Sequence, residues 1–327
     1  MAENKATWGD AIRGVGVTFT EFFSQNELNQ ISGWDPVIKT SKSNDAVSNF
    51  SGKTGAGFLQ RFSDGSIIPS LNRYKLFDTS VSHDPVGGRL EVSRQTALYR
   101  DFQGVFDESK DLITAVKTYL SCAGAQIFNR AFTSGAGVTG RTRVVSYNDG
   151  YAVASTTHPR ADGGTAQSNA SSTGIPLSES NVEIGRIALL NQLQDDGVPM
   201  LAPGTLTLIV GINNEKTAKI ITGSELRSAT GNNDVNIYNG GYMNVMSSSW
   251  LDSGISGSGV GSNTQWFLVA PSWTKFAIII SAGPDIEFLK DKDTKSNLWD
   301  VIIDLGVVSY DYRGLYGSKG DNVAYTG

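Results

Sequence analysis

Cysteine, histidine and long apolar runs are what this chain has little of. Its one cysteine, Cys122, leaves no partner for an internal disulfide. A lone thiol inside an apolar helical stretch is expected to be buried and inert. Two histidines, His83 and His158, are too few and too far apart for a structural zinc site. Apolar runs such as residues 276–280 fall far short of the ~20 residues that cross a bilayer. No basic segment followed by an apolar run opens the chain, so no secretory signal is expected. With 27 basic and 32 acidic residues the net charge is −5, which gives no electrostatic basis for tight nucleic-acid binding and leaves only weak local contact. These absences together fit a protein made and kept in a reducing cytoplasm.

What the chain does contain is length and glycine. Its 327 residues favour two lobes over one. The 37 glycines, with many Ser, Thr and Asn, imply a β-rich chain with many turns. The stretch from Asp107 to Phe132 organises the rest. Leu112, Ile113, Val116, Leu120, Ile127 and Phe128 recur at three- and four-residue steps, the period of one helix face, and no proline interrupts them. Such a helix is roughly 35–40 Å long at ~1.5 Å per residue, a beam across which sheets can be laid. Near the end of the chain Trp299, Val301, Ile303, Leu305 and Val307 alternate with Asp300, Asp304 and Gly306. That pattern predicts a strand of ~30 Å with one dry face, expected to return to the first lobe and lie along the helix.

Between these landmarks the composition changes several times. Residues 1–40 read as an arm in which Phe19, Phe22, Phe23 and Ile31 form one apolar side, to be laid on its own body or on another subunit. Residues 41–84 are glycine-rich and polar with isolated apolar anchors, too few for an independent domain. A long two-stranded excursion with a turn at Asp64-Gly65 is expected, with Tyr74, Leu76 and Phe77 on strands. Residues 90–98 suit either a strand or a short helix after Ser93. A short β segment follows over 143–147, then a loop to 176. Ser178 is the expected N-cap of a second helix that presents Val182, Leu189, Leu190 and Leu193 and stops at Gly197 and Pro199. A buried strand at 205–210, a helix at 214–221, strands at 235–238 and 244–246 joined across Asn239-Gly240-Gly241, and strands at 266–270 and 276–281 complete an α/β lobe over 177–283.

Motifs that could carry chemistry do not hold up. Gly52-Lys53-Thr54 lacks the glycine five residues earlier, where Val47 stands, and no apolar strand precedes it. Gly257, Gly259 and Gly261 have no strand-to-helix turn around them. Ser155, His158 and Asp162 crowd one loop, without the held geometry and oxyanion hole of a triad. Asp291 and Asp293 imitate a calcium loop, but Lys295 occupies the next ligand position. The sequons at Asn49 and Asn169 have no meaning without secretion. No enzymatic activity, metal or cofactor is expected.

The order of elements, with a set of local motifs, resembles the major capsid protein of tailed bacteriophages. The resemblance is to the Hong Kong phage 97 capsid fold, and in particular to Mu-like head subunits. The motifs are Glu91-Val92-Ser93-Arg94 before the long helix and Ile127-Phe128-Asn129-Arg130-Ala131-Phe132 at its end. Ser155-Thr156-Thr157-His158-Pro159 follows, with Gly163 and Ser168-Asn169, and then the helix after Ser178 that leads to Asp195-Asp196-Gly197-Val198-Pro199.

The resemblance implies an α+β capsid shell fold divided into an N-terminal arm (1–40), an extended β-hairpin loop (41–85), a peripheral domain (86–176) with spine helix 107–132, an α/β axial domain (177–283) and a return strand of the peripheral domain (284–327). It implies that Phe50, Lys53, Phe58, Arg61 and Phe62 of the loop, and Phe19, Phe22 and Phe23 of the arm, contact neighbouring subunits. The implied partners are other copies of the chain in pentamers and hexamers, a scaffolding protein, a portal, optionally a cement protein, and weakly held double-stranded DNA, with no membrane. The implied location is the virion head, after assembly in the host cytoplasm. Covalent cross-linking in this family joins Lys to Asn; Lys53 lies on the loop, but nothing identifies a partner for it. Two other readings remain at this point: an encapsulin-type compartment with the same fold, and a monomeric β-rich carbohydrate-binding protein suggested by the Ser/Gly/Asn-rich loops and six tryptophans.

Overall fold

A computed structural model describes residues 33–52, 59–71, 75–93, 95, 102–139, 142–226, 235–255 and 260–325, giving backbone alone for 102–110, 139 and 286. The organising element is helix α1, Phe102–Asn129, about 42 Å at ~1.5 Å per residue. Ile113, Val116, Leu120, Ile127 and Phe128 are buried on it, as their spacing predicts, while Leu112 is half-buried. The helix ends three residues earlier than expected. There the Arg130 guanidinium turns onto the carbonyls of Ser134 and Gly135, fixing a turn after Asn129.

Across α1 lies a six-stranded sheet. Its members are β1 Ile38–Lys42, β4 Asp84–Val92, β5 Gly137–Thr139, β6 Thr142–Val145, β10 Phe276–Lys290 and β11 Asn297–Ser309. The order is β1-β10-β11-β6-β5, with β4 also pairing β11. The 13 residues of β11 span about 43 Å at ~3.3 Å each, matching α1. Trp299, Val301, Ile303, Leu305 and Val307 are all buried in the core they share with the helix. Asp300, on the other face, forms a bidentate pair with Arg89 opposite it on β4, at 2.6 Å for each bond. Residues 90–98, for which strand and helix were both open, give β4 up to Val92.

The second sheet has the order β12-β9-β7-β8, from β7 Leu206–Val210, β8 Met243–Ser247, β9 Trp266–Val269 and β12 Leu315–Ser318. Helices α2 Glu179–Leu190 and α3 Ile212–Gly223 cover one face, where Val182, Leu189, Leu208, Ala218, Trp266 and Leu268 interlock. The opposite face joins the core of α1 through Ile209, Phe267 and Leu315; Phe128 lies 5.4 Å from Phe267, ring to ring. Every residue of β7 is buried, as its unbroken apolar run predicts. Ser178 caps α2, its hydroxyl accepting from Asn181 N at 3.3 Å.

Four expectations are corrected. Helix α2 ends at Leu190, well before Gly197, because the Gln192 side chain bonds to Leu315 O and Gly314 N. Residues 235–238 form turns and one isolated bridge instead of a strand. The Asn236 amide donates to Ile221 O and Ser224 O, and its oxygen accepts from Tyr238 N, so a side chain takes the place of a ladder partner. β8 accordingly pairs in parallel with β7 and makes no hairpin across Asn239-Gly240. The strand expected at 276–281 runs on to Lys290 within the six-stranded sheet, and the tail of the return segment supplies β12 to the four-stranded one.

Candidate assembly interface

The excursion is anchored at a short root. Strands β2 Val47–Phe50 and β3 Thr79–Ser82 pair antiparallel. They sit on the face of the large sheet away from α1, where Val81 packs with Val145, Ala277, Ile279 and Val308. Phe50 stacks on Tyr310 with ring centroids 4.5 Å apart, and Phe77 meets Tyr147 edge-on at 5.8 Å. The two limbs close on each other where Leu76 N donates to Gly52 O at 2.9 Å. Leu76 and Phe77 are not strand residues, and Tyr74 lies outside the described residues.

Beyond the root the character changes. Over residues 59–71 the chain makes a turn at Asp64-Gly65, with Ser66 N donating to Ser63 O, and no strand is formed. Leu59 is 88% exposed, Ile67 94%, Ile68 71% and Phe62 51%. Burying one such side chain contributes about 1.5–3 kcal/mol, so these four together leave roughly 6–12 kcal/mol unrealised in a single subunit. Clustered apolar exposure of this kind marks an interaction surface.

The expected contact residues divide accordingly. Phe62 and Arg61 are exposed on the excursion, whereas Phe50 packs on Tyr310 of its own body. Lys53 and Phe58 lie outside the described residues, as do Phe19, Phe22 and Phe23 of the arm. The sequence reasoning missed Leu59, Ile67 and Ile68. The available signal was an apolar pair flanked by the Asp64-Gly65 turn and Pro69, with no alternation that could bury it. It also missed apolar side chains exposed on the second lobe, Ile184 and Ile187 on α2 with Val235 and Ile237 beyond α3.

A cleft of about 500 Å³ separates the root from the body, lined among others by Phe50, Leu76, Met200, Tyr310 and Arg313. Its carboxylates are engaged: Arg313 pairs with Asp195 at 2.5 Å and Asp311 at 3.0 Å, and donates to Leu193 O. Burial works against the charge of Arg313, but Asp311 and Asp195 hold its guanidinium above the usual range. Burial also pushes the phenols of Tyr147 and Tyr312 up, keeping both neutral.

Behind the cleft His158 is fully buried, with Nδ1 2.6 Å from Asp149 Oδ2, Nε2 3.1 Å from Asn169 Oδ1, and its ring stacked 3.8 Å from Tyr312. Asn169 makes four bonds: its amide donates to Val153 O and Tyr312 O, and its oxygen meets Ser155 N and the histidine. Ser155 donates to Thr157 O, and Asp162 is bound by Arg160. The three residues of the apparent triad are therefore not assembled, and the imidazole has no route to a substrate; this is a structural brace. The Asp291 carboxylate accepts from Asp293 N and Thr294 N, making the β10–β11 turn. Among the described residues no group of His, Cys, Asp and Glu could hold a metal, and no helix is long and apolar enough to cross a membrane.

The sequence model of the family described as Phage capsid protein matches residues 78–318. The chain belongs to the phage capsid protein family. No curated protein matches it. Among solved structures, the bacteriophage JBD30 capsid shares 14% identity over 77% of this chain and 97% of its own, with a TM-score of 0.52. The capsid of Ralstonia phage GP4 shares 14% over 89% and 87%, with a TM-score of 0.50. The capsid of Helicobacter pylori bacteriophage KHP30 shares 13% over 86% and 85%, also at 0.50. At these identities the likeness concerns fold, and it is the α+β capsid fold expected from the sequence. The protein is a major capsid protein, a structural component of the phage head shell. The match favours neither an encapsulin-type compartment nor a carbohydrate-binding protein.

Proposed function

We propose that copies of this chain assemble into pentamers and hexamers that close an icosahedral head around double-stranded DNA, with the excursion of each subunit laid over a neighbour. The observation that carries this reading is the exposure of Leu59, Phe62, Ile67 and Ile68 on a segment with no core of its own. Arg61 and Phe62, with Lys53 and Phe58 of the same loop and Phe19, Phe22 and Phe23 of the arm, supply contacts between subunits, while Phe50 fixes the root. Many modest contacts spread over large interfaces suit a symmetric assembly. The division into arm, loop, peripheral domain and axial domain follows the same logic, and the exposed isoleucines of α2 give the axial lobe a surface on which to meet its copies around five- and six-fold axes. A scaffolding protein, a portal and optionally a cement protein act on this shell in the host cytoplasm. A structural, non-catalytic role is part of this proposal, and the engagement of the conspicuous carboxylates and the buried histidine in structural pairs supports it. A net charge of −5 keeps DNA from adhering strongly to the wall.

The test replaces residues 53–75 by a short Gly-Ser turn, which the 2.9 Å closure between Gly52 and Leu76 permits. The variant should remain folded by circular dichroism and elute as a monomer, with no particles in negative stain. Particles of wild-type size would overturn the proposal. A deletion from Asn49 to Ser63, natural on sequence grounds, is less clean because it removes part of β2 and the Phe50–Tyr310 stack.

A further inference from the structure

The turn that enters β8 carries the single Asn-Gly step in the sequence, Asn239-Gly240. Gly240 and Gly241 both have positive φ, +85° and +87°, and a Cβ built on either would meet nothing within 4 Å. The turn is thus open to water on that side. The Asn239 side chain is folded back on its own successor, with Gly240 N donating to Asn239 Oδ1 at 2.7 Å. The carbonyl carbon Cγ is one bond from that oxygen, so the turn already holds the amide nitrogen beside the carbon it would attack. Proximity of this kind accelerates ring closure, and glycine offers no side chain to obstruct it.

We propose that Asn239 is a site of spontaneous covalent modification in the folded protein, converting to aspartate and isoaspartate through a cyclic imide. The Gly240 N–H loses its proton to hydroxide, the nitrogen attacks Asn239 Cγ, and a C–N bond forms. The bond from Cγ to Nδ2 breaks, and ammonia leaves with a proton taken from water. Water then adds to either carbonyl of the ring. Opening on one side gives aspartate; opening on the other gives isoaspartate, whose main chain contains the former side-chain methylene. No electrons change hands, and water is the co-reactant.

The position has consequences for the lobe. Upstream, Asn236 holds the C-terminal end of α3 through Ile221 O and Ser224 O. Tyr238 is buried and donates to Glu183 on α2, and the Tyr242 hydroxyl accepts from Arg186 at 3.4 Å. Conversion adds a negative charge between these two tyrosines, in a turn docked on a carboxylate, and isoaspartate lengthens the backbone that spaces them. The inference does not depend on the capsid reading.

The experiment ages the purified full-length protein in mildly alkaline and mildly acidic buffer, followed by peptide mapping with isoaspartate detection. The Asn239 peptide should gain the mass difference between amide and acid, split into two isomers, and convert roughly tenfold or more faster than any other asparagine, faster still in alkali. Asn239→Gln, which demands a larger ring, should abolish the fast phase. Conversion in urea should be slower than in the folded state. An Asn239 peptide that stays intact while other asparagines convert, or one that converts faster once unfolded, would overturn the proposal.

Discussion

Gly124, in the middle of α1, offers a prediction whose sign separates two effects. An alanine there gains about 1 kcal/mol of helix propensity, and on that ground alone the substitution stabilises. The structure says otherwise. A Cβ at Gly124 would fall against Trp34 Cδ1 and 2.9 Å from Cγ and Nε1. The indole cannot yield cheaply: it is 2% exposed, donates from Nε1 to Ser121 O at 2.8 Å, and stacks on Phe128 at 5.2 Å. Its own carbonyl accepts from Val37 N and Ile38 N at the entrance to β1. Overpacking a rigid site costs about 1–3 kcal/mol, and losing the indole hydrogen bond about 0.5–1.5 kcal/mol more. Gly124→Ala should therefore destabilise the subunit by roughly 0.5–3.5 kcal/mol net. In a Trp34→Ala background the obstruction is gone, and the same substitution should stabilise by up to about 1 kcal/mol. Urea unfolding of the four proteins of this cycle, followed by far-ultraviolet circular dichroism on dissociated subunits, measures both numbers. The reasoning fails if Gly124→Ala is neutral or stabilising with Trp34 in place, or if removing the indole leaves the sign unchanged.

Three further outcomes follow from the same contacts. Asn169→Ala strips partners from Val153 O, Tyr312 O, Ser155 N and His158 Nε2; at about 1–3 kcal/mol for each buried group left unpaired, loss of soluble protein or a drop of at least about 3 kcal/mol is expected in chemical denaturation. Ser178→Ala removes the bond to Asn181 N and should cost about 1 kcal/mol, readable in the same assay. Glu183 is held below its ordinary value of 4.5 by bonds from Arg186 and Tyr238. Its contribution is therefore complete above that value and fades as acid brings the pH down through the lowered one, so thermal melts of Glu183→Gln should show a shallower acid limb than wild type, and identical limbs would refute the assignment.

How far the sequence revealed this structure depends on the range of the forces involved. Helix α1 and strand β11 were legible because each buries one side of a long regular element, so period alone exposes them. The cap of α2 was legible because Ser178 acts within three residues. The end of α2 was not, because Gln192 is drawn out by Leu315 O, 123 residues away. Residues 235–238 have strand-like composition, yet Asn236 satisfies the local backbone itself, a competition that pattern does not register. The distal half of β10 follows Gly283-Pro284, which reads as a turn signal, yet it joins the sheet through backbone pairing with β11. Leu59, Ile67 and Ile68 were passed over for a related reason: isolated apolar residues read as local anchors, and their exposure is decided by the absence, among the described residues, of anything packed above them.

The five residues between the two sheets, 310–314, show how the loop root and both lobes are held as one body. The large sheet ends at Ser309 and the small one resumes at Leu315. In between, Tyr310 carries the stack of Phe50 from the excursion. Tyr312 covers His158 and gives its carbonyl to Asn169, binding the loops of the first lobe. Arg313 reaches Asp195 and Leu193 O beyond α2, binding the second. Asp311 accepts from Arg313 N and pairs with its guanidinium, which fixes the turn of this link. Each bond in this chain joins groups that water reaches poorly, so shifting one element alone would leave a buried polar group unpaired at about 1–3 kcal/mol. A load on the excursion is therefore met jointly by both lobes, through a link too short to deform independently of either.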